Sequence, residues 1–178
     1  PKTKEDKIPW ESLEKTTLSP LFSGMAKTNQ HLEYHGEGDV LTHTKMVCEE
    51  IIKDSEYWTY SERERQILFL SALLHDIGKP ACFTRDENGR GHFYGHAQVG
   101  ARMADDILRG LKAPTALRER VVFLVEHHML PLEPDKKILR RRLGKYGIDA
   151  VYQLLALQEA DFGSKGTGKP EDAQIFTQ

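Results

Sequence analysis

Eight histidines stand out in this 178-residue chain, and most of them recur at ordered places. His75 and Asp76 are adjacent at the end of the apolar run ILFLSALLHD. His43 precedes them, His96 follows, His127 and His128 sit side by side, and Asp161 closes the series. Neutral imidazole and carboxylate make an N/O ligand set suited to Zn, Mn, Fe, Co or Ni. Helical spacing puts these residues on faces that should be buried. Val40, His43, Val47 and Ile51 share one face, as do His96, Gly100, Met103 and Ile107. Leu117, Val121, Leu124 and His128 form a third stripe, and Val151, Leu154, Gln158 and Asp161 a fourth. Burying so many imidazoles and carboxylates without partners costs several kcal/mol. They must satisfy one another, hold water or hold a metal. A single inward histidine is usually a hydrogen-bonded core residue, but repetition over four stripes favours a metal. Adjacent helical residues point about 100° apart, so the stripe selects His128 and leaves His127 at its edge. His31, His35 and His92 lie off these stripes and read as ordinary polar residues.

The elements that must position these groups are helices joined by Gly and Pro punctuation. Asp39 can cap a first helix running to about Lys53. Ser61-Glu-Arg-Glu64 is a capping box opening a second, apolar nearly all round and so central. Gly78 and Pro80 are expected to end it. Residues 81–95 read as a loop with a hairpin about Glu87-Asn88-Gly89. A third helix begins near His96, and Pro114 suits the start of a fourth. A short basic fifth covers roughly 135–145 and a sixth roughly 148–162. The expected fold is all-α, a bundle of about six helices around a metal site. Residues 37–163 form that domain, after an irregular arm at 1–36 with room for one short helix. Residues 164–178 read as a flexible tail.

Composition sets the outer bounds. Hydrophobic residues are 39% and charged residues 29%, a soluble globular balance for one domain. The longest apolar runs, Val121–Val125 and Ile67–Leu70, fall far short of the about 20 residues of a membrane span. A net charge of −2 argues against a domain that grips nucleic acid mainly by charge, and no DNA-binding motif is present. Cys48 and Cys82 lack C-x-x-C spacing, and PKTKEDKIPW has no signal-peptide core, so a reduced cytoplasmic setting is expected. The first residue is Pro, which leaves room for a fused domain outside this chain. Lys136, Lys137, Arg140, Arg141, Arg142 and Lys145 form a basic run, read first as a solvated helix face and second as a steering patch for RNA or polyphosphate. Gly163-Ser-Lys-Gly-Thr-Gly168-Lys169 nearly spells a phosphate-binding loop. Pro170 stands where a hydroxyl is needed, and no strand precedes the run, so it reads as tail.

LLHDIGKP at 73–80 resembles the signature of the HD superfamily of metal-dependent phosphohydrolases. GDVLTHTKMV, YGHAQVGA, LVEHHM and LQEADFG follow the family's order over residues 36–163. FYGHAQVGARMADDIL looks like the HD domain appended to bacterial tRNA nucleotidyltransferases. The sequence lacks that family's nucleotidyltransferase head, so nucleotide addition is not expected. No Gly-Tyr-Pro follows His127-His128, which disfavours the cyclic-di-GMP phosphodiesterase branch.

The resemblance implies core metal ligands at His43, His75, Asp76 and Asp161. It implies a second ion at His96 and the His127/His128 pair, bridged by Asp76, which is then catalytic. One or two divalent ions are implied, with Mn, Ni, Co, Fe, Zn and Mg all open. Lys79 matches a Lys that contacts substrate phosphate in some relatives, and so a catalytic or substrate-binding role. A solvated Lys at a helix C-terminus is an equal reading. Arg102 is a further candidate for phosphate, against a plain surface Arg. The implied function is hydrolysis of a phosphomonoester or phosphodiester of a nucleotide or RNA end by metal-activated water. The alternatives are an HD-type diiron oxygenase with the same ligands, or a metal-binding nucleotide- or RNA-sensing module of a larger protein with little turnover.

Overall fold

The computed structural model describes residues 8–30, 38–132 and 135–164. Its frame is six long helices: α3 (Val40–Lys53), α4 (Glu62–Leu74), α6 (His96–Gly110), α7 (Thr115–His127), α8 (Lys136–Tyr146) and α9 (Ile148–Gly163). Shorter pieces complete it: α1 (Trp10–Glu14), α2 (Ser19–Ala26), α5 (Lys79–Cys82) and a 3₁₀ turn at Ser55–Thr59. The all-α expectation holds, and a two-stranded hairpin is the sheet present among the described residues.

Local chemistry sets the helix starts. The Asp39 carboxylate accepts from the Thr42 amide at 2.8 Å and caps α3. Ser61 and Glu64 form the reciprocal capping box of α4. Asp135 caps α8 through the amides of Lys137 and Ile138. α4 is the central helix, burying Ile67, Leu68, Ala72, Leu73 and Leu74 against α3, α7 and α9. The apolar stripes of the flanking helices close around it: Val40, Val47 and Ile51 from α3, Leu117, Val121 and Leu124 from α7, and Val151, Leu154 and Leu157 from α9.

Two expectations are corrected. Gly78 and Pro80 do not stop α4; the helix ends at Leu74, and Pro80 lies in the first turn of α5. A proline there starts a helix, because its missing N–H would be unpaired anyway. Likewise, residues 8–30 are not an irregular arm with one short helix. They carry α1 and α2, with Pro9 and Pro20 at their starts, and α2 sends Phe22 and Met25 into the core. The segment is tied to α3 where the Val40 amide donates to Thr28 and the Gln30 amide to Gly38. Residues 31–36 of the expected arm and 165–178 of the expected tail, with His31, His35 and most of the Gly163–Lys169 run, lie outside the described residues.

The hairpin falls where the sequence places it. β1 (Thr84–Arg85) pairs antiparallel with β2 (Gly91–His92), and Gly89 turns between them at φ +77°. No described helix is long and apolar enough to cross a membrane.

One glycine sets the geometry of the site. At Gly78 an added Cβ would lie 2.3 Å from the His96 carbonyl oxygen and 2.7 Å from the Gly100 amide nitrogen. The start of α6 therefore rests directly on the backbone that follows Asp76. Gly78→Ala is expected to destabilise the fold by roughly 1–3 kcal/mol through overpacking. Gly110→Ala, which meets nothing within 4 Å, is the control and should be neutral or stabilising. Urea denaturation of the two variants checks this.

Candidate metal centre

Helix ends build the site. His43 lies on the inner face of α3, and His75 and Asp76 just past the end of α4. His96 opens α6, His128 follows α7, and Asp161 lies in the last turn of α9. All six are buried, with 0 to 8% of their surface exposed. The last carbonyls of a helix lack intrahelical partners. His75 Nδ1 donates to Ala72 O and His128 Nδ1 to Val125 O, each at 2.6 Å. His96 Nδ1 donates to Phe93 O at 3.0 Å. Each bond fixes the ring and turns Nε2 inward, the nitrogen that a metal ligand offers.

Asp76 joins two sets of these nitrogens. Its Oδ2 lies 3.1 Å from His75 Nε2 and 3.7 Å from His43 Nε2. Its Oδ1 lies 3.3 Å from His96 Nε2 and 3.5 Å from His128 Nε2. Asp161 Oδ1 completes the first set, 2.7 Å from His43 Nε2 and 3.5 Å from His75 Nε2. The result is two groups with ligand atoms within 4.8 Å of one another: His43, His75, Asp76 and Asp161, and Asp76, His96 and His128.

This arrangement suits cations. His75 Nε2 is fully buried and completes no hydrogen bond among the described residues, although two carboxylate oxygens face it. His96 Nε2 and His128 Nε2 stand 3.2 Å apart. With both Nδ1 atoms committed as donors, two lone pairs meet there unless a cation or a shared proton lies between them. Burial opposes ionisation of Asp76, but the His75 imidazole and the Lys79 ammonium outweigh it and hold the carboxyl well below its usual range. Burial likewise opposes ionisation of Asp161, but its hydrogen bond with His43 and the His75 imidazole nearby hold its carboxyl low too. Burial pushes the His75 imidazole down, but the neighbouring carboxylates reverse this and carry it up to about 10. Burial lowers His128 and keeps it neutral. Two buried carboxylates thus demand positive charge, and in the metal-free chain a proton on His75 answers part of that demand.

A pocket of about 810 Å³ opens onto Asp76, Asp161 and His96. Lys79 lies in its wall, at the start of α5 and not at a helix C-terminus. It is 6% exposed, 3.2 Å from Asp76 Oδ2, and donates to Gln30. His127 and Arg102 do not join the ligands. His127 points away from His128, donates to Phe123 O and stacks on the Phe123 ring at 4.3 Å; it forms pocket wall. Arg102 is exposed on α6 and does not line the pocket. The basic run of α8 is solvent-facing, apart from a half-buried Arg142.

Three further groups at the site were not candidates from the sequence, although Gln158 lies on the Asp161 stripe. Gln30 holds Lys79 from a segment 49 residues away. Gln158 donates to the carbonyls of His128 and Leu130, fixing the chain just past α7. His92 lies off every stripe yet lines the pocket from the hairpin.

The model of the HD domain family matches residues 39–176. The chain belongs to the HD domain family. HD domains form a superfamily of metal-dependent phosphohydrolases, and the two groups above are where this one can hold its metal. Over 96 residues it is 41% identical to an A-adding tRNA nucleotidyltransferase of Deinococcus radiodurans, covering 53% of the chain and 22% of that protein. Over 73 residues it is 48% identical to a CC-adding tRNA nucleotidyltransferase of Thermus thermophilus, covering 40% of the chain and 17% of that protein. A multifunctional CCA protein of Haemophilus influenzae is 28% identical over 129 residues, 70% of the chain and 30% of that protein. The HD chain thus spans less than a third of each of these relatives.

A metal must displace the proton that His75 carries in the free HD domain. Affinity for Mn or Zn is therefore expected to rise from neutral pH towards about 10, with proton release on binding. Calorimetric titration in buffers of different ionisation enthalpy measures both. A pH-independent affinity without proton release would contradict the charge assignment.

Proposed function

We propose that this HD domain is a metal-dependent phosphohydrolase acting on a phosphomonoester or phosphodiester of a nucleotide or an RNA end. The observation that carries the reading is the division of the Asp76 carboxylate between two imidazole sets at the floor of an open pocket. His43, His75, Asp76 and Asp161 would hold one divalent ion, and Asp76, His96 and His128 a second. Such ions lower the pKa of water and offset charge on phosphoryl oxygens. The protein supplies the rest. The Nδ1 bonds to backbone carbonyls hold the rings in place. Lys79 provides a fixed positive charge beside Asp76, partly shielded from water by Phe93, whose ring centre is 5.2 Å from Nζ. A compact ammonium there favours an incoming phosphate. Arg90 adds a second cation to the pocket wall. The relatives' names place them on tRNA, which supports a nucleotide or RNA substrate.

The test is hydrolysis of bis-para-nitrophenyl phosphate by protein stripped of metal and reloaded separately with Mn, Ni, Co, Zn or Fe. Metal-dependent turnover is expected, falling to the blank in Asp76→Ala. Lys79→Met should lower turnover roughly 10²- to 10³-fold, the usual effect of removing one charge-stabilising donor. Full activity of Asp76→Ala would overturn the reading. So would metal uptake with no turnover of this diester or of nucleotide esters, and oxygen consumption by the iron form would then be measured.

A further inference from the structure

We propose that the hairpin side of the pocket is a nucleobase platform, formed by Tyr94 stacked on His92, so that the phosphate ester taken by this site carries a base. The proposal rests on the phosphate-ester reading above and names the part of the ligand that the metal centre does not touch.

Among the described residues Tyr94 is the most exposed large hydrophobic side chain, with 74% of its surface open. It is not loose. Its ring lies 4.9 Å from the His92 ring at an interplanar angle of 10°, and both residues line the pocket. His92 is tied to Asp86 Oδ2 at 2.8 Å, and Asp86 accepts from the amides of Asn88 and Arg90 across the turn. The hairpin is anchored in turn. Phe83 and Phe93 pack at 5.5 Å, and a Cβ at Gly91 would meet the Phe83 ring at 2.7 Å. A stacked aromatic pair on a pocket wall, with Tyr94 74% exposed, adds little core burial and leaves ring surface for a ligand. Nucleobases stack on such faces whatever their sequence.

The surroundings fix the ligand class. Arg90 and Lys79 line the same pocket as the stacked pair, so a phosphate and a flat ring can be held together. At about 810 Å³, the pocket is in the range that takes a whole drug-sized ligand and exceeds the needs of a phosphate group alone. Neither Tyr94 nor His92 belongs to the metal groups, so their role is selection and not chemistry.

Binding of adenosine monophosphate and of ribose phosphate to the metal-stripped full chain, where no turnover competes, tests this by calorimetric titration. The nucleotide should bind more tightly than the sugar phosphate. Tyr94→Ala should weaken the nucleotide roughly 5- to 150-fold, the usual worth of one stacked base, and leave ribose phosphate unchanged. Tyr94→Phe keeps the ring and should keep the difference. With the metal-loaded protein, Tyr94→Ala should raise KM for the nucleotide and spare kcat. Equal binding of the two ligands by the unaltered protein would overturn the platform, as would equal weakening of both in Tyr94→Ala. Base-selective binding without any hydrolysis would support the platform while removing the phosphohydrolase reading.

Discussion

The carboxylate of Asp76 is the interaction on which the rest of this structure depends. It is 2% exposed, and a lone ionised carboxylate so deeply buried would instead take up a proton. It stays ionised because the His75 imidazole and the Lys79 ammonium stand 3.1 and 3.2 Å from it, and His96 and His128 complete its surroundings at 3.3 and 3.5 Å. Those four groups come from the ends of α4 and α7 and the starts of α5 and α6. The carboxylate thus sits where helices must terminate, and the terminations supply its partners.

This explains why the site is made of helix ends in an otherwise apolar body. An imidazole just past a helix meets a carbonyl of its last turn with one nitrogen and offers the other to a ligand. His75 and His128 both do this, with the same 2.6 Å bond to the residue three positions back. The close contact at Gly78 belongs to the same design: it lets the α6 start approach until His96 reaches the second oxygen of Asp76. The apolar stripes of α3, α4, α7 and α9 then carry the stability that a polar centre alone would not provide.

The parts of this protein legible in the sequence are those governed by local periodicity. His43, His96, His128 and Asp161 lie on the helical stripes that predict them, and the capping residues Asp39 and Ser61 mark helix starts that the structure keeps. What was hidden depends on contacts distant in sequence or on the exact place where a helix stops. Pro80 reads as a terminator and proves to be an initiator, because the same missing N–H serves both ends of a break. α1 and α2 are too short for periodicity to register, though α2 is held by core burial of Phe22 and Met25. Gln30 carries no pattern, since its role arises only when Lys79 folds back beside it.

The two halves of the pocket differ in what constrains them. The ligand half is buried, charged and interlocked, so a change at one residue strands a charge on another. That coupling is why an ordered set of His and Asp residues identifies a family and says little about its substrate. The hairpin half is exposed and meets the ligand groups mainly through the pocket it shares with them. Arg90, His92 and Tyr94 can vary without disturbing the buried charges, and their rigidity comes from the Asp86 turn and the Phe83–Phe93 contact instead. Loops on a rigid scaffold are where specificity resides. In this HD domain the scaffold is the Asp76 centre, and the short hairpin between α5 and α6 is the part free to choose what is brought to it.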